Sequence, residues 1–92
     1  MSLDKKEKKT SVALKYDYQG APTVTASGKG LLGQEILDRA QKANVPIIED
    51  ERLVNLLSAI PLGEEIPVEL YRAVAEVLVF VLQLETAIDR EV

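Results

Sequence analysis

The stretch Gly28-Lys29-Gly30-Leu31-Leu32-Gly33 is where residue type and spacing first suggest chemistry. It fits the G-x-G-x-x-G spacing of a dinucleotide-binding turn, in which backbone N–H groups at a helix start hold a pyrophosphate. Such a site also needs a following strand that ends in an acidic residue about 20 positions on. Val45-Pro46-Ile47-Ile48 followed by Glu49 meets that spacing. Against it, the chain supplies one such unit and no substrate domain. A G-x-x-x-x-G-K-[ST] phosphate loop does not fit, because Lys29 is followed by Gly30 and position 23 is Thr23. The carboxylate clusters are Glu49-Asp50-Glu51 and Glu64-Glu65. They could meet a hard cation but lack EF-hand spacing, and helix starts favour negative charge without any metal. Histidine and cysteine are absent. That excludes a Ser-His-Asp triad, a thiol nucleophile, a thiolate metal site and disulfides. No catalytic, cofactor-binding or metal residue is assigned, and the chain reads as a non-enzyme.

The elements that would position these residues follow from periodicity. Val12, Leu14 and Tyr16 alternate with Ala13 and Lys15, as in a half-exposed strand. Asp17 to Pro22 is a turn. Thr23 to Ala26 reads as a second strand pairing antiparallel with the first, broken by Ser27-Gly28-Lys29-Gly30. A helix is expected near Leu31 to Ala43, with Leu32, Ile36, Leu37 and Ala40 on one face and Asn44 as its stop. Val45-Pro46-Ile47-Ile48 reads as a short buried strand, reached from the second by a right-handed parallel crossover. Glu49-Asp50-Glu51 opens a helix with Leu53, Val54, Leu56, Leu57 and Ile60 for packing, ended by Pro61-Leu62-Gly63.

The last helix is expected from Pro67, which suits a first helical position, to about Ala87. Every residue from Val77 to Leu82 is apolar, so the band wraps the helix. Two accounts stand: the helix lies deep in a small core, or part of the band is a partner surface. The fold class is α/β, a small mixed sheet of about three strands packed with about three helices.

The 92 residues make one domain with one modest core. No apolar run approaches the ~18 residues of a membrane span, and Met1-Ser2-Leu3-Asp4-Lys5-Lys6 is no signal peptide. These features point to a cytoplasmic setting without membrane insertion. The net charge of −4 is uneven: residues 1–10 carry four lysines against Asp4 and Glu7, which leaves −6 for the rest. An acidic body argues against nucleic acid as a partner. Residues 1–9 read as a disordered basic leader, residues 10–88 as the domain and residues 89–92 as a tail.

An ordered set of short matches gives a more specific reading. They are Val12-Ala13-Leu14-Lys15-Tyr16-Asp17; Ala21-Pro22 with Val24, Ala26 and Gly28; Ile36, Ala40 and Val45-Pro46-Ile47 with Glu49; Leu53 and Leu57; and Gly63-Glu64-Glu65-Ile66-Pro67 running into Glu69-Leu70-Tyr71-Arg72-Ala73-Val74-Ala75-Glu76-Val77-Leu78. From about Val12 to Leu84 the chain resembles the C-terminal cytoplasmic domain of the FlhB/YscU family, export-gate proteins of the bacterial flagellum and of injectisomes. Glycine occurs at the matching place in that family without a bound nucleotide. Family members carry Asn-Pro-Thr-His upstream, where the Asn side chain attacks its own carbonyl and splits the Asn–Pro bond. Here the corresponding place is Lys6-Glu7-Lys8-Lys9, and no Asn–Pro bond occurs in the 92 residues. The chain thus resembles a free-standing, FlhB-like protein made as though already cleaved.

The resemblance implies a component or regulator of flagellar type III export. Its partners would be export substrates and export-gate proteins, including a membrane-anchored FlhB whose cleaved fragment it replaces. The substrate-receiving apolar patch would comprise Ala21, Pro22, Ala75 and Leu78. The sheet would lack the strand that precedes the motif, leaving an edge open. The alternatives are a stand-alone interaction or scaffold domain unrelated to export and, further off, an anion or nucleotide binder at Gly28 to Gly33.

Overall fold

The computed structural model describes residues 9–91, with side chains as far as residue 83. Most of the basic leader, residues 1–8, and the final Val92 of the tail lie outside the described residues. Strands β1 (Thr10–Lys15) and β2 (Thr23–Lys29) form an antiparallel hairpin. The register slips between Ala13 and Leu14, so that Ala13 faces Ala26 while Leu14 faces Val24. Thr25 is the extra residue of this bulge, and its Oγ1 donates to the Ala13 carbonyl at 3.3 Å. In the connecting turn the Asp17 carboxylate accepts from the Gln19 N–H at 3.0 Å, while Tyr18 and Gly20 take left-handed φ values of 66° and 68°. β2 extends past the expected break at Ser27, because Ser27 and Gly28 still pair with Val12 and Ser11. The break comes at Gly30.

Helix α1 (Leu31–Lys42) starts at Gly30, whose φ of 66° and ψ of −128° suit glycine. It ends in a Schellman motif. Asn44 has φ 59°, its N–H donates to Gln41 O at 3.2 Å, and the Val45 N–H donates to Ala40 O at 2.9 Å. Asn44 is therefore the stop expected of it. On the face assigned to packing, Ile36, Leu37 and Ala40 are half-buried, but Leu32 is 53% exposed. Helix α2 (Glu51–Leu57) is capped by Asp50, which accepts from the Leu53 N–H at 3.0 Å. It stops at Leu57, short of Pro61, with the Ser58 hydroxyl donating to the Asn55 carbonyl.

Two expectations about the sheet change. Val45-Pro46-Ile47-Ile48 forms no strand, and Val45, Ile47 and Ile48 are all exposed. The parallel crossover is therefore not completed. Instead, Gly63 to Ile66 lies along the other edge of β2. The Val24 N–H donates to Glu64 O at 3.0 Å, the Gly63 N–H to Val24 O at 2.7 Å and the Ile66 N–H to Pro22 O at 2.9 Å. Thr23 and Glu65 form an antiparallel bridge between them. This segment is short and acidic and shows no apolar alternation, which hides it from a periodicity reading.

Pro67 caps a 3-10 turn, Val68–Leu70, in extended geometry (φ −70°, ψ 157°). It is therefore not the first residue of the long helix α3, which is Tyr71–Glu91 and continues past Ala87 into the stretch assigned to the tail. The core is the cluster Leu53, Leu57, Ile66 and Val74, with Val12, Leu14, Ala21, Ile60, Leu70, Ala73, Val77 and Leu78 packed against it. Val24 is also fully buried. The hairpin, α2 and the start of α3 thus share one core.

Candidate functional site

The glycine stretch is accounted for by packing. A Cβ at Gly33 would meet the carbonyls of Lys9 and Gly28, each at 3.0 Å, and one at Gly28 would meet Leu32 Cγ at 2.5 Å. The Gly30 N–H donates to the Lys9 carbonyl at 2.9 Å, so the chain's own backbone occupies this approach to the helix start. The dinucleotide geometry also needs a strand ending at Glu49, and Val45 to Ile48 is not one. The Asp50 carboxylate is engaged in capping α2. Among the described residues, no group of three or more His, Cys, Asp or Glu is arranged to hold a metal ion.

The four candidate partner-binding residues sit where the hairpin turn meets α3. Ala21 is half-buried and packs against the Leu53, Leu57, Ile66 and Val74 cluster. Pro22 is buried, its carbonyl held by the Ile66 N–H. Leu78 packs against the same cluster from α3. The structure therefore brings Ala21 and Leu78 to one cluster and fixes Pro22 beside it through Ile66. Ala75 is different: it is exposed, three positions before Leu78.

Along α3 every fourth or third residue turns inward. Val77, Leu78 and Val81 are half-buried, as is Leu70 in the turn just before the helix, and Val74 is 1% exposed. Tyr71, Ala75 and Val79 recur at four-residue spacing on the flank beside this face, and all three are exposed. Ala75 lines a shallow, open depression with Arg72, Glu76 and Val79. The small alanine among longer side chains on adjacent turns accounts for its shape. Arg72, Glu76 and Val79 were not assigned from sequence, although their three- and four-residue spacing about Ala75 would have placed them beside it.

The apolar band from Val77 to Leu82 is thus not deep in the core. Val77, Leu78 and Val81 are half-buried, whereas Val79 is 54% and Phe80 50% exposed. No helix among the described residues is long and apolar enough to cross a membrane.

Comparison with known proteins matches residues 8–81 to the model of the FlhB HrpN YscU SpaS family. The chain is 42% identical over 83 residues to the uncharacterized protein YlqH of Bacillus subtilis, covering 88% of this chain and 89% of that protein. It is 44% identical over 78 residues to the flagellar biosynthetic protein FlhB of Escherichia coli, covering 82% of this chain but 20% of FlhB. The chain thus spans about a fifth of that relative. Among solved structures, the cytoplasmic domain of FlhB from Shewanella putrefaciens superposes with a TM-score of 0.82 at 30% identity, covering 87% of this chain and 68% of that one.

Proposed function

The chain belongs to the FlhB HrpN YscU SpaS family, and from that premise we propose that it serves flagellar type III protein export as a non-enzymatic cytosolic component or regulator. It binds export substrates or export-gate proteins through Ala21, Pro22, Ala75 and Leu78. Residues 10–88 are the working unit. Its place is that of the cleaved C-terminal fragment beside a membrane-anchored FlhB. No Asn–Pro bond occurs in these 92 residues, so that role does not pass through self-cleavage within them. YlqH is a relative that the chain matches over 89% of that protein's length.

The observation that carries the binding role is the exposed flank of α3. Ala75 opens a depression on the surface while Leu78, one turn on, reaches the core cluster that also holds Ala21. An apolar side chain from a partner could seat beside Ala75 and remove the flank from water.

The test is a pull-down of purified rod, hook and export-gate proteins with the chain and its Ala75→Asp variant. Retention by the first and loss in the second is the expected result. No retention by a folded chain would sink the export role and leave the stand-alone scaffold reading.

A further inference from the structure

The residues that line the depression on α3, Arg72, Ala75, Glu76 and Val79, stand at i, i+3, i+4 and i+7 of the helix. Each is three or four positions from two of the others, so the four enclose a diamond on adjoining turns. Such a diamond is the hole that receives one side chain of a facing helix when two helices pack. Ala75 keeps it open, because its methyl group stops short of the longer side chains around it. Val79 is 54% exposed and supplies an apolar wall.

The rim carries two charges of opposite sign. On α1, Glu35 and Arg39 are four positions apart and form an ion pair at 2.9 Å, in the order, acid before base, that a helix favours. On α3 the order is reversed, with Arg72 four positions before Glu76. No ion pair joins them, and among the described residues neither has one with another group. Both residues are exposed at the mouth of the hole. The rim is thus positive toward the helix start and negative one turn, about 6 Å, further on.

From these two observations we infer that the partner segment seated here is an amphipathic α-helix, held in one direction by the rim charges. It places one apolar side chain in the hole, an acidic residue toward Arg72 and a basic residue toward Glu76. The helical form follows from what α3 offers. Its backbone N–H and C=O groups are bonded within the helix, so an extended segment laid across it finds no ladder to join and leaves its own polar groups unpaired in the contact. A helix arrives with those groups already bonded. Reversing the segment brings like charges together at both rim positions, so Arg72 and Glu76 set direction while the hole supplies the apolar contact. The inference rests on the reading of Ala75 as a partner contact and adds the form, charge and direction of that partner.

The experiment is a titration of the full chain with designed helical peptides, followed by the amide NMR signals of Arg72, Ala75, Glu76 and Val79. Two peptides share one composition and a central leucine on the apolar face. One carries Glu a turn before that leucine and Lys a turn after; the other has the two exchanged. A third repeats the tighter binder with proline beside the leucine, which breaks its helix. One order should bind about tenfold more tightly than the other, as two surface ion pairs made or opposed would give. The proline peptide should bind about tenfold more weakly than its parent. Arg72→Gln together with Glu76→Gln should bring the two orders level with an unchanged melting temperature. Equal binding of both orders by the unaltered chain, a preference that survives the double substitution, or a proline peptide as tight as its parent would each overturn the inference. No shift at these four residues with millimolar peptide also overturns it, while capture of export proteins in the pull-down would keep the export reading. Order-dependent binding without any such capture keeps the inference and removes the export reading.

Discussion

The backbone N–H of Ile66 donates to the carbonyl oxygen of Pro22 at 2.9 Å, joining the end of the hairpin turn to the lead-in of α3. The Ile66 side chain is only 3% exposed and belongs to the cluster that holds Ala21 and Leu78. One residue thus ties the turn to the last helix through its backbone and supports both through its side chain.

Ile66→Ala should therefore be costly. Removing a buried isoleucine side chain destabilises by about 2–5 kcal/mol, a large share of the ~5–15 kcal/mol typical of a domain. Urea unfolding would measure it. A loss below about 0.5 kcal/mol, the level of an ordinary surface change, would show that Ile66 does not anchor this junction.

Ala75→Asp and Leu78→Asp should separate. Ala75 is exposed, so its replacement should shift stability by no more than about 0.5 kcal/mol while removing capture of export proteins. Leu78 packs on the core, so a carboxylate there should lower the melting temperature as well. Thermal melts paired with the pull-down read both effects. Equal melting losses would mean that Ala75 is a packing residue.

Gly33→Ala should destabilise by about 1–3 kcal/mol, the usual cost of overpacking. The added methyl group meets two backbone carbonyls, of Lys9 and Gly28, at 3.0 Å, and neither can swing aside as a side-chain tip can. Gly30→Ala should also destabilise, because φ 66° with ψ −128° strains a residue that has a Cβ. Added dinucleotide should leave the melting temperature of the unaltered chain where it is. A clear upward shift would revive the phosphate reading of this turn.

Asp50→Ala should cost about 1 kcal/mol through loss of the cap on α2, whereas Glu49→Ala should cost almost nothing. Asp50 accepts the Leu53 N–H, whereas Glu49 is exposed and precedes the capping residue. Equal losses would mean that general negative charge at the helix start, rather than the bond, supplies the stabilisation.

Local features were legible because local residues cause them. The hairpin, the Asn44 stop, the Asp50 start and the approximate span of each helix depend on neighbours within a few positions. Pairing was harder to read. Val45 to Ile48 has strand composition but lacks a partner, and Gly63 to Ile66 has a partner but lacks strand composition. Of the candidate binding residues, all four were named from the ordered resemblance. Arg72, Glu76 and Val79 were not, since charged and apolar residues on a helix acquire a common role only once one flank is known to face outward.

The amino-acid order by itself determined the α/β composition, the hairpin and the three helices to within a few residues, the lack of histidine and cysteine chemistry, and the family. Tertiary structure alone decided which segment pairs with β2, why the glycines stand at 28, 30 and 33, and which flank of an apolar helix remains in water. The physical reason is range. Caps, turns and periodicity act through bonds a few residues long, whereas strand pairing and burial depend on segments tens of residues apart competing for the same edge and the same core.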